Sequence, residues 1–184
     1  CSPQAFTLYL YQLNAISNLM FDASAEWIND LFASGFLKYL FELLLTNKSR
    51  DFLEICTFIT SQREFKDQAQ QILTDSLVND YIETVSGVDG STLSFYLKVL
   101  MVISEQFTSL FESNTSFASI VKNSIFNREL EIRETIKLIL QKLDNLTQNS
   151  YLEPILGEVS QMYPEEFFAL YDNVFEVKVE VFEV

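Results

Sequence analysis

Apolar residues in this chain fall at helical spacing, and one apolar template returns roughly every 40 residues. Leu40, Phe41 and Leu44 are followed 41 positions later by Tyr81, Ile82 and Val85, and after a further 40 by Val121 and Ile125, with Lys122 in the middle position. A second set runs Ile55, Phe58 and Ile59, then Tyr96, Val99 and Leu100, then Ile136, Ile139 and Leu140. Side chains three and four apart share one face of a helix. A fixed period of this size marks a helical solenoid, whose units bury their apolar faces by stacking on one another. The expected fold is all-α, with about three repeated units.

The punctuation between apolar runs agrees. Residues 4 to 21 predict an opening helix, and Ser24 is a good N-cap for a short helix carrying Trp27, Ile28, Leu31 and Phe32. Gly35 suits a left-handed helix end. Phe36 to Leu45 then forms a nearly all-apolar helix, of the kind buried on several sides. After the turn Thr46 to Ser49, with Ser49 or Asp51 as cap, a third helix runs to about Thr60. The order short helix, helix, helix repeats. The second unit has Glu64–Thr74, Ser76–Val85 and Thr92–Phe107, and the third has Gln106–Glu112, Ser116–Phe126 and Glu129–Leu146.

At this point the chain resembles the armadillo repeat, a close relative of the HEAT repeat. The stretch LFASGFLKYLFELL, Leu31 to Leu44, is similar to the armadillo join of first and second helices, including its Gly. The stretch NRELEIRETIKLILQKL, Asn127 to Leu143, is similar to the turn and last helix of either repeat, with Ile132-Arg133 near its start. The resemblance spans about residues 24 to 146. Units two and three depart from it by carrying Asp75-Ser76 and Thr115-Ser116 where the first has Gly35. It implies a right-handed superhelix whose third helices line an inner groove. On that face it points to Arg50, Glu54, Ser91, Phe95, Lys98, Val102, Thr135 and Lys142 as partner-binding candidates. Phe95 and Val102 would be apolar anchors, with Lys98 pairing an acidic group.

Residues 1–150 thus form an armadillo-like region, and residues 151–184 differ from it. Tyr151 to Tyr163 and Pro164 to Phe175 predict two more helices. The period then changes to two: Phe175, Val177, Val179 and Val181 alternate with Glu176, Lys178 and Glu180, the pattern of a half-buried strand. Such a strand requires a partner, whether a further part of the protein, another subunit or a bound chain. The segment carries eight acids and one Lys, half the charge excess of the chain.

Charge narrows the function classes. The 184 residues hold 26 acidic and 12 basic side chains, a net charge of −14. Nucleic-acid binding needs Lys and Arg to displace phosphate counterions, so direct binding is not expected, and an anionic membrane is disfavoured for the same reason. A basic patch on a partner would be attracted. No apolar run reaches the length of a membrane span. Cys1 and Cys56 make no disulfide framework, and Cys56 in an apolar helical run reads as a buried thiol. Reducing surroundings, cytoplasmic or nuclear, fit best. The chain opens on Cys1 rather than Met, which points to processing or to a longer parent; Cys-Ser at a mature N-terminus also suits an acylated bacterial lipoprotein.

Chemistry-bearing constellations are sparse. The chain has no His, which removes His-based nucleophile pairs, general bases and metal ligands together. Ser86-Gly-Val-Asp-Gly90 lacks the Lys-Ser/Thr of a phosphate loop and reads as a turn. Glu165-Glu166 and the group Glu129, Glu131 and Glu134 read as solvated helix ends and faces, with Glu129 and Arg133 spaced for a surface ion pair. The expected function is non-enzymatic, with no cofactor and no metal. The chain is expected to be a scaffold or adaptor that holds a peptide or domain in its groove. The alternative is a regulatory or targeting subunit of an enzyme such as a Ser/Thr phosphatase.

Overall fold

The computed structural model describes residues 3–46, 49–88, 90–111, 114–125 and 127–147, together with Gly157 and Gln161. The described residues are helical, with no strand among them. The α-helices are α1 (Pro3–Met20), α2 (Ala25–Leu31), α3 (Leu37–Thr46), α4 (Arg50–Thr60), α5 (Arg63–Ile72), α6 (Asp75–Ser86), α7 (Leu93–Ser104), α8 (Thr108–Phe111), α9 (Thr115–Ile125) and α10 (Leu130–Thr147). The predicted strand at Phe175, Val177, Val179 and Val181 lies outside the described residues, as do Glu165 and Glu166.

Local chemistry sets the boundaries. Ser24 Oγ accepts from the Trp27 amide at 3.3 Å and starts α2. Between α2 and α3 the chain passes through a π-type turn, Phe32–Phe36, that is bent at Gly35. The φ of Gly35 is +92°, a left-handed conformation that a Cβ would strain. The corresponding joins farther on use side-chain caps instead. Thr74 Oγ1 accepts from the Leu77 amide at 3.3 Å before α6, and Asn114 Oδ1 accepts from the Phe117 amide at 3.1 Å before α9. Asp75-Ser76 and Thr115-Ser116 therefore replace a glycine bend with a cap, a different solution to the same change of direction. Ser49 is the N-cap residue of α4.

Helices three elements apart in the chain lie side by side. Helix α1 packs on α4, α4 on α7 and α7 on α10, while α3 packs on α6 and α6 on α9, and α2 lies against α5. The two longer rows meet where α3 touches α4, α6 touches α7 and α9 touches α10. Polar links cross between the same neighbours. Gln68 Nε2 donates to Asn29 Oδ1 at 3.2 Å, Asn114 Nδ2 to Asn79 Oδ1 at 3.1 Å, and Gln70 Nε2 to the Gln106 carbonyl at 2.9 Å.

The apolar template is buried, with one change of register. Leu37, Leu40, Phe41 and Leu44 on α3 and Val78, Tyr81, Ile82 and Val85 on α6 are fully or almost fully enclosed. On α9 the buried set is Phe117, Ile120, Val121 and Ser124, with Ile125 beside it. These stand 39 residues after their α6 counterparts, not 40. Lys122 is consequently no break in the core: it is exposed, as are Glu42 and Glu83 at the matching places. The position that Leu44 and Val85 fill belongs to Ser124, whose buried Oγ has no hydrogen-bond partner among the described residues. In the second set Ile59, Tyr96, Val99, Leu100, Ile136, Ile139 and Leu140 are buried, while Ile55 and Phe58 are half-buried against the same core.

An aromatic column crosses the middle of the core. Phe32 meets Phe65 edge-on, Phe65 stacks on Phe41, Phe41 tilts against Tyr81 with ring centroids 5.5 Å apart, and Tyr81 stacks on Tyr96 at 5.9 Å. Two hydroxyls allow the column to be polar at one end. Tyr81 Oη donates to the Tyr96 carbonyl at 3.0 Å, and Tyr96 Oη donates to the Leu44 carbonyl at 3.3 Å. Leu44 lies in the last turn of α3, where carbonyls lack an intrahelical donor. Burial raises both phenols, that of Tyr96 to about 12, so the pair stays neutral. Cys56, close enough to add to the same effect, is buried and free, and burial raises its thiol too.

Two measurements check this core. Tyr96→Phe strands the buried Leu44 carbonyl and should lower unfolding stability by about 1–3 kcal/mol. Tyr81→Phe should cost about 1 kcal/mol or less, because the Tyr96 carbonyl keeps its own helical bond. Urea midpoints in the reverse order would refute this reading of the pair. Ser124→Ala should raise stability by about 1 kcal/mol, since it removes an unpaired buried hydroxyl. A fall in the thermal midpoint would show that the hydroxyl is satisfied.

Candidate partner-binding face

The sequence-predicted site residues fall into four groups. Arg50, Glu54, Phe95 and Lys98 come together on the adjacent helices α4 and α7. Arg50 Nε donates to Glu54 Oε1 at 3.0 Å, one turn on, and its guanidinium carbon lies 5.9 Å from the Phe95 ring centroid. Lys98 Nζ approaches the same ring to 5.5 Å and pairs with Glu131 Oε1 on α10 at 2.5 Å. The half-buried Phe95 ring therefore has two cations beside it, each tied to a carboxylate. A ring quadrupole attracts both cations and helps to fix their positions.

Glu131 completes this cluster and was absent from the sequence-derived set. The hydrogen bond from Lys98 is the main reason that its carboxyl lies below the ordinary range; partial burial opposes the shift, and the Lys98 charge and the Ser94 hydroxyl assist it. Ser91 is exposed in the short 3₁₀ turn Gly90–Thr92 that leads into α7.

Two candidates are corrected. Val102 is 8% exposed and Thr135 is 7% exposed, so neither offers a surface to a ligand. Both lie on α7 and α10, which pack on one another, and the contact consumes the faces assigned to the groove. Thr135 Oγ1 is further occupied with the Glu131 carbonyl at 2.7 Å. Arg133 also departs from expectation. Its guanidinium donates to the Asn127 and Arg128 carbonyls, at 2.6 and 3.1 Å, and ties down the turn before α10.

Lys142 belongs to a separate cluster, eleven residues along α10 from Glu131 and hence about 16 Å away. It hydrogen-bonds Glu105, which immediately follows α7, and Lys66 of α5 reaches the other carboxylate oxygen at 3.0 Å. Burial alone would push the Glu105 carboxyl up; the hydrogen bonds and charges of Lys142 and Lys66 outweigh it and hold the carboxyl below its ordinary value. Lys66, Glu105 and Lys142 are spaced 39 and 37 residues apart, close to the apolar period. Their recurrence was a usable signal: charged residues one unit apart meet on neighbouring helices.

Beside the Phe95 cluster, a cleft of about 410 Å³ opens between α1 and α4, lined by Leu10, Tyr11, Asn14, Asp51, Glu54 and Ile55. Glu54 borders both. The row formed by α1, α4 and α7 thus presents a cleft of mixed polarity with an acidic side, then an aromatic ring flanked by ion pairs. Glu131 and Glu134 are exposed on α10, and Glu129 is exposed just before it. Among the described residues no helix is long and apolar enough to cross a membrane. Comparison with protein-family models, curated proteins and solved structures finds no match.

The Glu105 bridge has a defined pH signature. A carboxyl held low in the folded state stabilises it above the unfolded carboxylate range and ceases to do so as pH falls through the folded value. Glu105→Gln should lower stability at pH 7 by about 1 kcal/mol, a value moderated by the partial exposure of both lysines. At an acid pH below the ordinary carboxylate range the deficit should be smaller, and it vanishes once the wild-type carboxyl is itself protonated. Denaturant titrations at the two pH values check it, and an equal deficit at both would reject an ionic role.

Proposed function

We propose that the chain is an α-solenoid of three armadillo-like units that works as a non-enzymatic protein-binding module. The ordered side-by-side packing of α1, α4, α7 and α10, and of α3, α6 and α9, supports the solenoid reading. So do the interhelical bonds between residues 35 to 39 apart. In such a stack each unit leaves one helix of the row open along a continuous surface, which suits an extended segment or a domain.

The observation that carries the binding reading is Phe95. It is a large apolar ring, half-buried against the core in the middle of the row, with Arg50 and Lys98 beside it. Rigid aromatic side chains surrounded by polar pairs are the usual energetic centres of protein interfaces. A bound segment would cover the ring with an apolar side chain and extend toward the α1–α4 cleft, where Asp51 and Glu54 favour a basic residue. The net charge of −14 would speed the approach of a basic partner.

The test compares proteins recovered with tagged wild-type chain and with Phe95→Ala and Lys98→Glu variants, identified by mass spectrometry. Phe95→Ala should change unfolding stability by less than about 1 kcal/mol while weakening a captured partner by about tenfold or more. A stability loss of about 3–5 kcal/mol would make Phe95 a core residue and remove the anchor. Partners retained equally by both variants would place the binding surface elsewhere.

A further inference from the structure

Arg50 is placed against the preferences of its own helix. It is the first residue of α4, at the positive end of the helix macrodipole, where an acid such as its neighbour Asp51 is favoured and a cation is not. It pairs with Glu54 in the order cation then acid, the weaker of the two arrangements one turn apart. The pair is also exposed, 71% for the Arg50 side chain and 51% for that of Glu54, so water screens it. Local rules of this kind are broken mainly where function gains by it.

The contacts of Arg50 lie on the features assigned above to a bound partner. Its Nε donates to Glu54 Oε1 at 3.0 Å, and Glu54 lines the α1–α4 cleft together with Asp51. Its guanidinium carbon lies 5.9 Å from the Phe95 ring centroid. One side chain of the protein thus engages the acid that a partner's basic group would use and flanks the ring that a partner's apolar group would cover. Lys98, the other cation beside the ring, differs: it reaches Glu131 and ties α7 to α10. The ion pair of Arg50 stays within α4, and a partner can replace it at small cost.

We propose that Arg50 is an autoinhibitory occupant of this face, displaced by an arginine of the bound segment. The inference rests on the Phe95 reading of the preceding subsection. The group that Glu54 accepts from within the chain identifies the group it takes from outside. A guanidinium, with its planar fork of donors, matches a carboxylate better than an ammonium does. The partner's arginine takes Glu54 beside Asp51, Arg50 moves to solvent, and the ring is freed on that side for an apolar residue of the same segment.

Fluorescence polarisation on the full 184-residue chain tests this. The probes are labelled peptides with one Leu and one Arg, separated by Gly-Ser runs of increasing length, and a matched set with Glu for Arg. Arg50→Gln should bind the best Arg peptide about threefold to tenfold more tightly than the wild type, because the internal competitor is gone. Lys122→Gln makes the same change of net charge on α9, in the other row, and should stay within about twofold of the wild type. The Glu peptides should bind neither protein. The thermal midpoint of Arg50→Gln should equal or exceed that of the wild type, since a cation leaves the positive end of α4. A lower midpoint assigns Arg50 to the fold and overturns the proposal. Equal or weaker binding by Arg50→Gln overturns it, as does an equal gain from Lys122→Gln; a loss with Phe95→Ala then leaves the binding face standing. Peptide retained in full by Phe95→Ala removes the face and the proposal together. If no Arg peptide binds the wild type or Arg50→Gln, the proposal is overturned, and a protein still captured through Phe95 keeps the face without this occupant.

Discussion

Helix ends are the weak points of an all-helical stack, and here one of them is held by a tyrosine from two helices away. The last turn of α3 presents carbonyls that its own backbone cannot satisfy, in a region where water is excluded. The Tyr96 hydroxyl reaches the Leu44 carbonyl from α7, and the Tyr81 hydroxyl from α6 reaches the Tyr96 carbonyl. Three helices are thereby fixed at one point in both position and rotation, which apolar packing alone does only loosely. The aromatic column that runs from Tyr96 through Tyr81, Phe41 and Phe65 to Phe32 spreads that constraint to α5 and to the Gly35 bend. Removing the bond therefore does more than delete a contact: it leaves a buried acceptor without a donor at the point where the rows of helices meet.

Much of the helical order was legible because its signals are local. Ser24 opens α2 through its side-chain oxygen, Gly35 bends the chain through its positive φ and Ser49 precedes α4, and the buried sets on α3 and α6 follow the helical period directly. What was illegible depends on a change in connection length. Between α6 and α9 the register is two residues shorter than between α3 and α6, 39 against 41, so a template carried forward by 40 put Lys122 in the middle position that Val121 fills. The same step hid Ser124, a serine in a place where the preceding helices have Leu44 and Val85. The candidate face suffered in a similar way. Arg50, Glu54, Phe95 and Lys98 were identified through the armadillo resemblance, which does not say which flank the next helix covers. The packing of α10 on α7 takes Val102 and Thr135 out of reach and brings in Glu131.

Charge is organised between neighbours rather than within single helices. Lys66, Glu105 and Lys142 come from α5, the end of α7 and α10, and one carboxylate serves both ammonium groups. A partly enclosed carboxylate with one cation would lose much of its Coulomb gain to desolvation; the second cation reverses that balance. On the Phe95 face, Lys98 likewise reaches across to Glu131, whereas Arg50 is held within its own helix by Glu54. Interhelical pairs of this kind add register to a stack whose apolar seams tolerate sliding.

The two ends of the row from α1 to α10 follow different rules. The outward side of α10 carries Leu138 among Glu134 and Lys137, so its exposed apolar group is flanked by charges of both signs and stays solvated. The outward side of α1 has no charge along its whole length. Removing water from a charged face costs free energy, so the outward side of α10 resists burial, while the uncharged outward side of α1 carries no such cost.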